Sequence, residues 1–122
     1  GMLARYGGID LQLDSFPYSG GLTTLEALWM GVPTLTFPGD RIAGRHSASH
    51  LRRAGLGYLV ATDRDDYMAR AVAIARNPGA VRGLRGALRH RVAASPLVDG
   101  RAQAAAFADL VATAWACERF HR

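Results

Sequence analysis

The feature that most restricts the fold is the succession of patterns from Ile9 to Pro33. Ile9-Asp10-Leu11-Gln12-Leu13-Asp14 alternates apolar and polar residues, the period-two signature of a strand. Ser15 to Gly21 follows with Pro17, Gly20 and Gly21, where proline fixes one dihedral and glycine admits backbone that other residues avoid. Thr23 or Thr24 is expected to cap a helix through Leu25, Ala27, Leu28 and Trp29, with Glu26 in its first turn, where the helix dipole favours an acid. Gly31 is placed to end that helix and Pro33 to prevent its continuation. A strand, a glycine loop and a helix in this order form half of a βαβ unit.

The rest of the chain continues the alternation. Thr34-Leu35-Thr36-Phe37 is a short β-prone run, a helix is expected from Ala43 to Ala54 ending at Gly55, and Tyr58-Leu59-Val60 reads as a third short strand. Asp63 is placed to cap a helix from Arg64 to Arg76, with Asp65 and Asp66 completing an acidic cap cluster. Asn77-Pro78-Gly79 reads as a turn, and Val81, Leu84, Leu88 and Val92 recur at helical spacing before Ser95-Pro96 breaks the pattern. A last Ala-rich helix is expected from Gly100 to Phe120, carrying Phe107, Leu110, Val111 and Trp115. The order predicts an α/β fold with about three parallel strands flanked by helices and closed by C-terminal helices. A doubly wound domain has five or six strands, so the missing ones are expected upstream. Residues 2–122 are taken as a single domain. Gly1 before Met2 reads as a residue left by tag cleavage.

Composition excludes several classes. The chain has 122 residues, 49% of them apolar and 20% charged, which is globular composition. No apolar run approaches the roughly 20 residues of a membrane span, and the N-terminus lacks a secretory pattern. Cys117 is the only cysteine, so no internal disulfide can form; a reducing, cytoplasmic setting is expected, with Cys117 packed in a helix. All 15 basic residues are Arg and the net charge is +5, which points to a high-GC, bacterial genome and favours anionic ligands. Arg82, Arg85 and Arg89 recur at helical spacing without interleaved aromatics, the pattern of a solvated helix face rather than of a nucleic-acid binder. His46 and His50 are four apart but have no third ligand nearby, so a surface pair is expected rather than a metal site. Trp29 and Trp115 read as core anchors.

The chemistry is concentrated between Asp14 and Gly31. A strand–glycine-loop–helix junction presents unpaired backbone N–H groups and the positive end of a helix dipole, a setting that suits a diphosphate. Gly20 and Gly21 let an oxygen approach the backbone, the hydroxyls of Thr23 and Thr24 can add donors, and Glu26 lies one turn further on, within reach of ribose hydroxyls. Taken by spacing alone, an ordinary tight βα turn fits equally well. The stretch lacks both the G-x-G-x-x-G pattern and the lysine of a P-loop. Asp14, at the end of a strand, is better suited to capping the turn than to acting as a base.

The run from Asp14 to Pro33, Asp-Ser-Phe-Pro-Tyr-Ser-Gly-Gly-Leu-Thr-Thr-Leu-Glu-Ala-Leu-Trp-Met-Gly-Val-Pro, closely resembles the O-GlcNAc transferase or SPINDLY-type family, the family 41 glycosyltransferases. The likeness continues through Thr36-Phe37-Pro38-Gly39-Asp40, Arg45 with Ser49, Ala54-Gly55-Leu56, Tyr67 and Ser95-Pro96-Leu97, and covers Arg5 to Trp115. The resemblance implies a GT-B enzyme with two facing Rossmann-like lobes, of which this chain is the C-terminal half of the donor-binding lobe. It further implies an inverting, metal-independent transfer of GlcNAc from UDP-GlcNAc to protein Ser or Thr, with no cofactor beyond the UDP-sugar.

Carried over by residue, the resemblance places Gly20, Gly21, Leu22, Thr23 and Thr24 around the diphosphate, Glu26 at the ribose and Arg5 near the donor. It assigns no catalytic residue to this chain. Leu22 stands where Thr is usual, Glu26 where Asp is commoner and Met2 where many relatives have His. The lysine that faces the diphosphate in the family has no counterpart here. The implied partners are a protein acceptor, the absent upstream catalytic half and a tetratricopeptide region. The departures at Leu22 and Met2 keep a second reading open, a non-catalytic lobe retained for protein contacts. An exposed apolar face, left by absent strands, predicts self-association into a homo-oligomer.

Overall fold

The computed structural model describes residues 1–119, so the expected end of the last helix at Phe120 lies outside the described residues. After a 3-10 segment at Met2–Gly8, the chain forms strand β1 (Gln12–Leu13), helix α1 (Leu22–Trp29), strand β2 (Thr34–Leu35), helix α2 (His46–Arg53), and helices α3 (Arg64–Ala75), α4 (Pro78–Ala93) and α5 (Gly100–Arg119). β1 and β2 pair in parallel, Gln12 opposite Thr34 and Leu13 opposite Leu35. The third expected strand is reduced to a single parallel bridge, Thr36 to Val60, because Gly57–Leu59 turns as a 3-10 segment just before it. The α/β order read from the sequence therefore holds, with less strand in it than expected.

Two helices return the chain to the sheet by the same device. Gly31, at φ +78°, and Gly55, at φ +70°, adopt left-handed backbone past the ends of α1 and α2. Val32 N–H then reaches back to Ala27 O at 2.8 Å, and Leu56 N–H to Leu51 O at 2.8 Å. This six-to-one bond satisfies a terminal carbonyl and reverses the chain. A side chain at position 31 would also lie 3.2 Å from the Arg85 carbonyl, so α1 and α4 cross closely there.

The core gathers Leu28 of α1, Leu51 and Ala54 of α2, Leu56, Leu59, and Leu88 and Val92 of α4, all buried. Fully burying each leucine is worth about 2 kcal/mol, which makes the α1–α2–α4 contact the main apolar anchor of the fold. α3 packs Ile74 against this core and adds polar contacts at its start. Asp63 accepts the Asp66 N–H at 2.9 Å as its N-cap. Asp66 takes Arg70 Nε at 2.8 Å, and Arg70 Nη1 reaches Tyr58 O at 2.8 Å. The acidic cap cluster read from the sequence is thus present.

Four expectations about local structure are corrected. Neither Thr23 nor Thr24 caps α1; Gly21 is its N-cap residue and no side chain bonds there. The helix expected from Ala43 begins only at His46, after a 3-10 turn at Ile42–Gly44. Gly44 is buried so tightly that an added Cβ would lie 3.0 Å from Pro17 O, so this turn accepts only glycine there. Asn77-Pro78-Gly79 opens α4: Asn77 accepts the Ala80 N–H at 3.1 Å, and Pro78 sits where a helix tolerates it best. Finally, the apolar residues of α5 are not core. Phe107, Leu110 and Trp115 are about two-thirds exposed, and Cys117 is exposed as well. Trp29 is likewise a surface residue, lying beneath the Arg89 guanidinium at 4.9 Å.

Candidate functional site

The loop from Ser15 to Gly21 leaves the carboxyl end of β1, the side on which open α/β sheets bind ligands. Asp14 organises it. One carboxylate oxygen accepts the Gly20 N–H at 2.7 Å and the other accepts the Thr36 hydroxyl at 2.6 Å. Its backbone N–H pairs with Leu35 O, and its carbonyl accepts the Tyr67 hydroxyl at 3.0 Å. Tyr67 titrates above its ordinary range because it is buried and faces the Asp14 charge. Asp14 is therefore occupied as the clamp that ties the loop to β2 and α3, the capping role read from the sequence.

A second set of contacts fastens the far side of the loop. Ser19 is buried; its hydroxyl donates to Ala43 O at 3.1 Å and accepts the His46 N–H at 2.9 Å. Ser19 thereby satisfies the first amide of α2 from a distant position. Ser47 donates to Gly20 O at 2.9 Å, and its hydroxyl lies 2.7 Å from that of the fully buried Thr24. The space over Gly20 is filled: a Cβ there would come within 2.5 Å of Thr24 Oγ1 and 2.9 Å of Thr23 Oγ1. Glycine is required at position 20 by crowding from the protein itself.

Gly20, Gly21, Leu22, Thr23, Thr24 and Glu26 are brought together at the start of α1. Their roles separate there. The Thr24 hydroxyl is buried and paired with Ser47, so it shapes the loop and is not free for a ligand. Gly21 is open, with nothing within 4 Å of an added Cβ. Thr23 is exposed and Leu22 is 70% exposed at the first helical position. No side chain caps the first turn, so its amides face outward with the positive end of the dipole. Glu26 lies one turn on, beside a cleft of about 250 Å³ lined by Leu3, Leu22, Leu25, Trp29 and Val98. Arg5 stands apart. It lies on the 3-10 segment beside Met2, Ile9 and Gln12 along the free edge of β1, and among the described residues makes no hydrogen bond or ion pair to the loop.

Tyr6, on the same 3-10 segment, reaches the site although it carried no signal in the sequence. Its hydroxyl donates to Thr23 O at 3.5 Å, and its phenol is pushed up by burial first and by the Glu26 charge second. Arg85 helps hold this segment. Instead of lying on a solvated face, it reaches Gly7 O at 3.4 Å, with Asp10 at 3.9 Å. His46 sits edge-on to Tyr18 at 5.9 Å, and burial, then the neighbouring His46, lowers the His50 pKa. Among the described residues, no group of three His, Cys, Asp or Glu is placed to hold a metal ion, and no helix is long and apolar enough to cross a membrane. A larger apolar groove of about 430 Å³ opens among Leu11, Pro33, Ile74 and Leu84. It lies by the residues that enter the strands, away from the loop.

A family model described as glycosyl transferase family 41 matches residues 3–107. The chain belongs to glycosyl transferase family 41. Its relatives include the probable UDP-N-acetylglucosamine–peptide N-acetylglucosaminyltransferase SPINDLY of Eustoma exaltatum subsp. russellianum, 45% identical over 80% of this chain and 11% of that protein. The probable transferase SEC of Arabidopsis thaliana is 32% identical over 74% of this chain and 9% of its own length. Among solved structures, a mutant of the Thermobaculum terrenum O-GlcNAc transferase superposes with a TM-score of 0.84 at 40% identity, covering 93% of this chain and 22% of the other. This family 41 chain thus spans about a tenth of the length of the curated relatives it matches. The resemblance read from Asp14 to Pro33 is upheld, and the Rossmann-like fold is that of part of a solved O-GlcNAc transferase.

Proposed function

We propose that this chain is the donor-binding portion of a family 41 protein glycosyltransferase, and that the loop Gly20–Glu26 receives the nucleotide diphosphate of a UDP-sugar, UDP-GlcNAc above all. The observation that carries this reading is the uncapped first turn of α1, fixed in place from behind by Asp14, Ser19 and Ser47. A loop whose own polar groups are satisfied on its inner side can direct its amides outward without reorganising when an anion arrives. Thr23 adds an exposed hydroxyl. Leu22 supplies only its backbone N–H where relatives commonly have Thr, which weakens the grip on phosphate by one donor. Glu26 takes the ribose hydroxyls.

In this reading the transfer is inverting and needs no metal: leaving-group charge on UDP is balanced by amides, a hydroxyl and basic groups. The facing lobe of a GT-B architecture, the acceptor site and a tetratricopeptide region belong to the remainder of a longer enzyme, so the 122-residue chain binds weakly and does not turn over. Calorimetric titration with UDP and with UDP-GlcNAc is expected to give sub-millimolar to millimolar binding to both, and a peptide-transfer assay to give no product. Absence of binding to either nucleotide would favour the second reading, a non-catalytic lobe used for protein contacts. The 20-residue α5 with its exposed apolar face is the feature that supports that alternative.

A further inference from the structure

Two neighbouring segments present large side chains that the fold does not bury. The Ser15–Gly21 loop and the segment from Gly39 to His46 lie side by side: the Ser19 N–H donates to Ala43 O at 3.0 Å, and Tyr18 meets His46 edge-on at 5.9 Å. The second segment is closed on itself by the Gly39 N–H to Gly44 O at 3.0 Å and by Arg45 Nε to Gly39 O at 2.8 Å. Both backbones are therefore fixed. Yet Phe16 is 62% exposed, Tyr18 64% and Ile42 81%. Apolar side chains held out on a fixed backbone lose little freedom when a partner covers them.

The charge around them is one-sided. Between Glu26 and Asp63 the chain has four arginines, Arg41, Arg45, Arg52 and Arg53, and one acid, Asp40. All four arginines are exposed. The ion pairs among the described residues join Arg70 to Asp66 and Arg85 to Asp10, so no carboxylate there neutralises these four. Arg52 and Arg53 carry the charge along the solvent side of α2, away from the buried Ser47, Ala48 and Leu51.

We propose that this surface docks an acidic peptide segment, with an apolar side chain against Tyr18 and Ile42 and carboxylates along Arg41, Arg45 and Arg53. Aromatic and arginine side chains are those that protein interfaces concentrate, and a guanidinium matches a carboxylate with two parallel hydrogen bonds. A single-stranded nucleic acid suits the surface less. It would need free aromatic faces for its bases, whereas the Phe16 ring is stacked on Phe37 at 4.9 Å and Ile42, the most exposed of the three, has no ring. The surface adjoins the donor loop, because Ser19 and Ser47 join the start of α2 to it. The inference rests on the donor-binding reading only for the peptide's role as the acceptor.

Fluorescence anisotropy on the 122-residue chain tests it without nucleotide. The probe is a short labelled peptide of alternating Ser and Glu with one Leu; its counterpart carries Lys in place of Glu. The acidic peptide is expected to bind and its counterpart not to. Arg41→Glu with Arg53→Glu should weaken binding about tenfold at low salt, and Ile42→Ser about fivefold. Arg82→Glu with Arg91→Glu, an equal charge change on the exposed side of α4, should leave it unaltered. Equal losses in the two charge-reversed pairs would reduce the effect to net charge and overturn the proposal, as would failure of the acidic peptide to bind. An oligonucleotide of equal charge that binds more tightly through the same arginines would overturn it in favour of a nucleic acid. Peptide binding in a chain that does not bind UDP removes the donor reading and leaves the docking surface; UDP binding without peptide binding does the reverse.

Discussion

The Ser15–Gly21 loop and helix α5 are held in opposite ways. The loop has almost no apolar contribution to the core, yet Asp14, Ser19, Thr36 and Ser47 tie it to three other elements through hydrogen bonds of 2.6–3.1 Å. α5 is a regular helix of 20 residues with a stripe of Phe107, Leu110, Val111 and Trp115, and that stripe is exposed. Regular secondary structure and structural fixity are therefore separate properties here. An irregular segment is rigid when its polar groups are satisfied by distant partners. A helix with an apolar face is anchored only when another surface covers that face.

The comparison breaks most readily at Gly20. Replacing it with Val places carbon where Thr24 Oγ1 already lies 2.5 Å from an ideal Cβ, and overpacking of this kind costs about 3 kcal/mol. Urea denaturation is expected to show that loss, whereas Gly21→Ala, at an open N-cap position, should cost no more than about 1 kcal/mol. Equal effects at the two positions would deny that the loop is packed as described.

Asp14→Ala comes next. It strips the acceptor from both the Gly20 N–H and the Thr36 hydroxyl, at about 2 kcal/mol for donors left without a partner. Chemical denaturation reads the stability. Amide exchange at Gly20 and Ser19 is expected to accelerate while the α4 amides stay protected; uniform acceleration would mean global loss rather than release of the loop.

A smaller effect distinguishes polar fastening elsewhere. Asp63 and Asp66 are held below their ordinary 3.8, Asp63 chiefly by the Asp66 amide and Asp66 chiefly by Arg70. Because the native state binds these protons less readily than the unfolded chain, the stabilisation is complete above about pH 4 and is lost as pH falls through the lower native values. Asp63→Asn with Asp66→Asn is expected to flatten that part of the melting-temperature profile. An unchanged acid slope would remove the cap cluster from the account.

The smallest effect on folding is expected in α5. Phe107→Ser with Trp115→Ser should change the unfolding free energy by less than about 0.5 kcal/mol, as surface substitutions do. The same pair should reduce self-association in light scattering, since exposed apolar faces of this kind pair between molecules. A large loss of stability would show that α5 is anchored to the core after all.

The two regions also differ in how far their amino-acid sequences alone reveal them. Pro17, Gly20 and Gly21 mark a loop, and Gly31 marks a helix end, because backbone freedom is a local property of the residue. The fastening of that loop is not local. Ser47 lies 27 residues from Gly20, and Thr36 lies 22 from Asp14, so no periodicity connects them. Tyr6 shares this invisibility, 17 residues from Thr23. For α5 the error has the other sign: helical spacing of apolar residues establishes a face, but burial needs a second surface that the spacing does not describe. The assignment of Thr24 as a phosphate donor failed for the first reason, since its hydroxyl faces Ser47 from another helix.

The central claim is that the fastened loop, and not another face of the molecule, receives a nucleotide diphosphate. Amide NMR spectra recorded during a UDP titration test it most directly. Selective movement of the Gly20 to Glu26 amides, with α5 amides stationary, is the expected result. Saturable shifts confined to the groove beside Leu11 and Ile74, or no shifts up to millimolar UDP, would contradict it.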